Sequence, residues 1–137
     1  MLQKLKVFCL VKITKHLSER NFLFLAILWT VGITIASLIS LSNVEKVAIP
    51  GKDKAVHFVF YFIFIILWFF AFQLYKKSKY FNLKLFLIAV FYGILMEFFQ
   101  SVFTQDREAD FYDIIANSLG ALFGILISNI INKPSKN

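Results

Sequence analysis

Three groups of polar residues interrupt an otherwise apolar chain, and each is spaced to place its members on one helical face. Lys54, His57 and Tyr61 run i, i+3, i+7; Glu97 and Gln100 run i, i+3; Asp110, Asp113 and Asn117 again run i, i+3, i+7, with Arg107 just upstream. These residue types suit acid–base chemistry beside an anion-binding group. Glu97, lodged in apolar sequence, and Asp113 are candidate proton donors or acceptors, and His57 exchanges a proton near neutral pH. Arg107 offers a planar fork that matches a phosphate or carboxylate, and Lys54 adds a point charge. Gln100 and Asn117 read as hydrogen-bonding supports, and Tyr61 as a buried wall. The competing reading is structural: Glu97 and Asp113 pair with Lys54, His57 or Arg107 to hold helices together.

Other chemistries find less support. His57, Glu97, Asp110 and Asp113 are possible nitrogen and oxygen ligands for a metal. The chain nevertheless has no HExxH, no close His pair and no Cys cluster, so no metal ligand and no cofactor is assigned. It also lacks a GxSxG elbow and a Gly-rich nucleotide loop. Cys9 is the single cysteine, which excludes an internal disulfide.

The elements that must carry these residues follow from composition. Of 137 residues 59% are hydrophobic and only 17% charged, an excess that water does not solvate. Four apolar windows hold it, at 21–41, 55–75, 83–103 and 111–131. Each matches the roughly 20 residues a helix needs to cross a 30 Å hydrocarbon core. They are continuous runs rather than the alternating segments of a membrane β-barrel. The expected fold is all-α, a four-transmembrane-helix antiparallel bundle. A basic cytoplasmic or interfacial segment precedes it at 1–20, the membrane domain spans 21–131, and a short tail follows at 132–137.

Eleven of the 15 Lys and Arg residues fall in the N-terminal segment, the second loop and its edge, and the C-terminal tail. Only Lys46, Lys52, Lys54 and Arg107 lie on the other side. The positive-inside bias therefore places both termini in the cytoplasm. The net charge of +7 follows from these membrane flanks. No recognition motif accompanies it, so nucleic acid is not an expected partner. Glu97 lies six residues inside the end of its span, roughly 9 Å along the axis, and Asn117 enters to the same depth. All three polar groups thus meet at the outer membrane face, where an ionised carboxylate needs pairing or hydration. Gly120 and Gly124 add a small-xxx-small step suited to close helix contact. The aromatic crowd of the second span, from Phe58 to Phe72, reads as lipid-facing or interhelical filler.

This pattern resembles the VanZ-like family of small bacterial membrane proteins. The resemblance runs through Lys54-x-x-His57-Phe58-x-x-Tyr61, Glu97-x-x-Gln100, then Arg107, Asp113 and Asn117, closing on Gly120 and Gly124. It implies His57, Glu97, Gln100, Arg107, Asp113 and Asn117 as the functional positions, with Asp110 a local addition. It brings no established reaction or cofactor, and its name comes from an accessory protein linked to reduced teicoplanin sensitivity. The chain is expected to be a stand-alone membrane core.

The leading expectation is a cell-envelope protein of the bacterial inner membrane whose outward-facing polar pocket recognises or modifies an anionic or phosphorylated lipid. His57, Glu97 and Asp113 are its expected catalytic groups; Lys54, Tyr61, Gln100, Arg107 and Asn117 would bind the substrate. A non-enzymatic scaffold and a small proton-coupled transporter are the alternatives.

Overall fold

The computed structural model describes residues 2–39, 51–72, 78–104 and 109–132, with side chains from residue 18 onward. Four helices account for nearly all of them: α1 (Leu2–Leu38), α2 (Lys52–Ala71), α3 (Phe81–Phe103) and α4 (Phe111–Ile131). The described residues contain no strand. Each helix carries a stretch long and apolar enough to cross a bilayer, at Ser18–Leu38, Lys52–Ala71, Phe81–Phe103 and Phe111–Ile131. The all-helical, four-span expectation holds.

From Leu2, α1 continues unbroken through residue 20 into the first span. No Gly or Pro interrupts the chain before Gly32, and Lys and Leu favour helix. Its 37 residues extend about 55 Å, well beyond a 30 Å hydrocarbon core. The second helix starts where Gly51 takes a left-handed φ of 78°, a conformation that a Cβ disfavours. The charged turn Lys52-Asp53-Lys54 therefore belongs to the helix even though it precedes the apolar window.

Contacts between named residues set the directions of the helices. Phe22 of α1 meets Phe70 of α2, while Trp29 meets Phe60, so α1 and α2 run antiparallel. Phe69 meets Phe81 and Phe64 stacks on Tyr92, which makes α3 antiparallel to α2. The largest interface joins α2 and α4, and these two run parallel. Glycine makes that interface possible. A Cβ on Gly120 would collide with the Phe58 carbonyl oxygen, and one on Gly124 would stand 2.9 Å from the Phe62 carbonyl oxygen. The small-xxx-small step is thus the α2–α4 seam.

The first helix is attached by polar contacts. The Trp29 indole N–H donates to the Phe60 carbonyl at 3.0 Å, and the Trp68 indole N–H donates to Thr30 Oγ1 at 3.1 Å. The Tyr92 hydroxyl donates to the Thr30 carbonyl at 3.0 Å and lies 2.9 Å from Thr34 Oγ1. Inside, Phe64, Ile65, Phe69, Leu85, Ala89 and Ile125 form the core. Outside, Phe24, Leu28, Phe91, Phe98 and Ile130 are exposed. This surface suits acyl chains and is costly in water. Of the aromatic side chains on α2, Tyr61, Phe64 and Phe69 are buried between helices, while Phe58, Phe60, Phe62, Trp68 and Phe70 are half-buried.

Candidate polar site at one end of the bundle

Because α2 and α4 run parallel, their N-termini lie side by side, and α3 brings its C-terminal half to the same end. Two helix N-termini favour negative charge there. The sequence supplies it: Asp53 and Asp113 occupy the first turns of α2 and α4, and Asp110 is the N-cap of α4. Its Oδ1 accepts the Tyr112 backbone N–H at 2.8 Å. Asp110 thus caps α4 and, through Lys54, binds α2.

Lys54 bridges the two helices, with its Nζ 2.7 Å from Asp110 Oδ2 and 3.2 Å from Asp113 Oδ1. The hydrogen bond from Lys54, followed by that from the Tyr112 N–H, holds the Asp110 carboxyl below its ordinary range. Lys54 and Asp110 are partly exposed, whereas Asp113 is buried, so the pair reads inward from the mouth of the cluster.

One turn deeper, His57 touches all three sides. Its Nδ1 lies 3.1 Å from Asn117 Oδ1 and 3.6 Å from Glu97 Oε1, and its Nε2 lies 3.7 Å from Asp113 Oδ2. Both ring nitrogens thus face acceptor oxygens, Nδ1 those of Asn117 and Glu97 and Nε2 that of Asp113.

Glu97 is only 1% exposed. Its Oε2 accepts the Asp110 backbone N–H at a long 3.5 Å, and its Oε1 has no hydrogen-bond partner among the described residues. Asn117 Nδ2 and the Tyr61 hydroxyl are likewise buried without a partner among the described residues. Gly93 allows this crowding, because a Cβ there would lie 3.2 Å from Asn117 Nδ2 and 3.5 Å from the Tyr61 ring.

The structure therefore gathers Lys54, His57, Glu97, Asp113 and Asn117 in one cluster, with Tyr61 beneath it. Gln100 is buried on α3, but among the described residues its side chain makes no hydrogen bond to the group; its carbonyl accepts from Thr104 Oγ1 at 2.5 Å. Arg107 lies outside the described residues. Asp53 joins the cluster although sequence reasoning did not select it: one of its carboxylate oxygens, a His57 ring nitrogen and an Asp113 oxygen all lie within 4.8 Å of one another. The available signal was its i, i+4 spacing to His57. Glu19 was also passed over, within the basic segment; it is buried on α1.

The VanZ/LLP1 family pattern matches residues 9–132. The chain belongs to the VanZ/LLP1 family. Together with four helices able to span a bilayer, this makes it a VanZ-like multi-pass membrane protein. Among curated proteins it is similar to an uncharacterised protein of Schizosaccharomyces pombe. The two are 32% identical over 85 residues, covering 62% of this chain and 51% of the relative, so the chain spans about half the relative's length. No solved structure gives a significant match to this VanZ/LLP1 chain.

Proposed function

We propose that this VanZ-like protein lies in the bacterial cytoplasmic membrane with both termini inside, and that its polar end opens to the outer leaflet. There it takes the headgroup of an anionic or phosphorylated amphiphile. The observation that carries this reading is the convergence of Lys54, His57, Glu97, Asp113 and Asn117 from three helices, with buried polar atoms on Glu97, Asn117 and Tyr61 lacking partners among the described residues. Buried groups of this kind are costly unless a ligand or water satisfies them. An incoming anion would compete with Asp110, the partly exposed partner of Lys54, while Asp113 stays in place. The expected second cation for such a headgroup, Arg107, lies outside the described residues. His57, set between Glu97 and Asp113, positions or moves a proton directly or through one water. Holding or altering an envelope lipid in this way is the route by which the protein would affect glycopeptide sensitivity.

A scaffold reading draws on the same Lys54 bridge, which ties α2 to α4 without any ligand. A proton-coupled path draws less support, since the core toward the other end is lined by Phe64, Phe69, Leu85 and Ile125. Native mass spectrometry of protein extracted with its lipids separates these readings. Selective retention of an anionic lipid, weakened in Glu97→Gln and Arg107→Ala while folding persists, is the expected result. Unselective lipid in all three proteins would leave the scaffold.

A further inference from the structure

The Asp53, His57 and Asp113 donors already stand within 4.8 Å of one another. Metal bonds of about 2.0–2.2 Å place neighbouring ligand atoms about 3 Å apart and opposite ones about 4.2 Å apart. Small side-chain rotations would bring these three donors onto one cation. Lys54 contributes by holding Asp113 Oδ1, which leaves Asp113 Oδ2 facing His57 Nε2 at 3.7 Å. At that separation the two atoms are too far apart for a hydrogen bond and stand near the spacing of two ligands on one cation. A metal-binding His characteristically gives its other ring N–H to an oxygen acceptor, the role that Asn117 Oδ1 fills.

A second observation points the same way. The Glu97 carboxylate is buried against His57, and its Oε1 lacks a hydrogen-bond partner among the described residues. Among those residues Asp53, Asp110 and Asp113 collect around Lys54 and His57, leaving a surplus of negative charge at the mouth of the cluster. Helix N-termini moderate that surplus but do not cancel it.

We infer that Asp53, His57 and Asp113 bind a divalent cation of the Mn²⁺ or Zn²⁺ kind at the mouth of the polar cluster. One imidazole and two carboxylates form a borderline donor set and leave coordination positions for water or a headgroup oxygen. An acidic cluster could receive a phosphate in this way, through the cation rather than against the carboxylates. Cation binding stands independently of the amphiphile reading; only the identity of the remaining ligand rests on it.

The test uses the full chain in phosphatidylcholine nanodiscs, titrated with Mn²⁺ and followed by the electron paramagnetic resonance signal of the free ion. Asp53→Asn and Asp110→Asn each remove one negative charge with little change of shape, and thermal unfolding verifies that both fold. The wild type is expected to bind a single Mn²⁺, with Asp53→Asn weakening it at least about tenfold and Asp110→Asn clearly less. Absence of stoichiometric binding by the wild type, or equal weakening by the two variants, would overturn the site. If Mn²⁺ binds as expected but no anionic lipid is retained with or without it, the cation site stands and the amphiphile reading fails.

Discussion

At one end of the α2–α4 pair, Lys54, His57, Asp113 and Asn117 meet across the interface with Glu97 behind them. Twelve residues further along α2, about 18 Å away, Phe69 packs against Phe81 in a core shared with Leu85 and Ile125. The same two helices thus hold a charged cluster at one end and, at the other, a mainly apolar, aromatic core in which the Ser128 hydroxyl is buried. Between them lie Gly120 and Gly124, where the backbones approach most closely. The difference assigns separate tasks. Apolar packing and the glycine contact fix the helices, and that rigidity lets costly polar groups persist at the other end.

The glycine contact should be the most sensitive point. Gly120→Ala places a methyl group on the Phe58 carbonyl and is expected to destabilise the bundle by about 1–3 kcal/mol. Gly32→Ala, with nothing within 4 Å of the new Cβ, should be neutral or stabilising by up to about 1 kcal/mol. Thermal unfolding in detergent compares them, and equal effects would remove the seam from the account.

At the polar end, Lys54→Met strips the buried Asp113 of its cation. The unfolding temperature should fall, by less than in Gly120→Ala, and adding Asp113→Asn should restore most of the loss. Additive losses would show that Lys54 and Asp113 are not coupled.

The pH dependence at this end has a definite sign. Because Lys54 holds the Asp110 carboxyl below its ordinary value, this group stabilises the fold above about pH 4 and ceases to do so as pH falls through its lowered folded value. Asp110→Asn should therefore flatten the loss of stability below about pH 4, measured as unfolding temperature against pH. An unchanged slope would mean that the ion pair contributes nothing in solution.

The smallest effect is expected where α1 joins the bundle. Tyr92→Phe removes the hydroxyl contacts to Thr30 and Thr34 and should cost about 0.6 kcal/mol, in the range of interhelical hydrogen bonds in membranes. A much larger loss would place α1 at the centre of the fold rather than at its periphery.

Much of this architecture was legible because lipid imposes a length. The fourth expected window coincides with α4, and the third begins two residues inside α3. The second begins three residues late, since hydropathy registers the apolar run whereas Gly51 sets the start of the helix. Helical spacing also announced the convergence of Lys54, His57, Glu97, Asp113 and Asn117. Gln100, three residues after Glu97, is buried on α3, but its side chain makes no hydrogen bond to the cluster among the described residues. Asp53 was concealed among charged flanking residues that ordinarily mark a membrane boundary, and Glu19 among the basic residues of the N-terminal segment. Asp53 stays exposed while Glu19 is buried, a difference that residue type alone does not reveal.

The comparison of the two ends is tested most directly by matching one variant from each for stability and measuring retained lipid by native mass spectrometry. Glu97→Gln alters the polar end and Phe69→Leu the apolar core. The account predicts that the wild type and Phe69→Leu retain the same anionic lipid while Glu97→Gln releases it. Equal retention by both variants, or equal loss, would contradict a ligand site at the polar end.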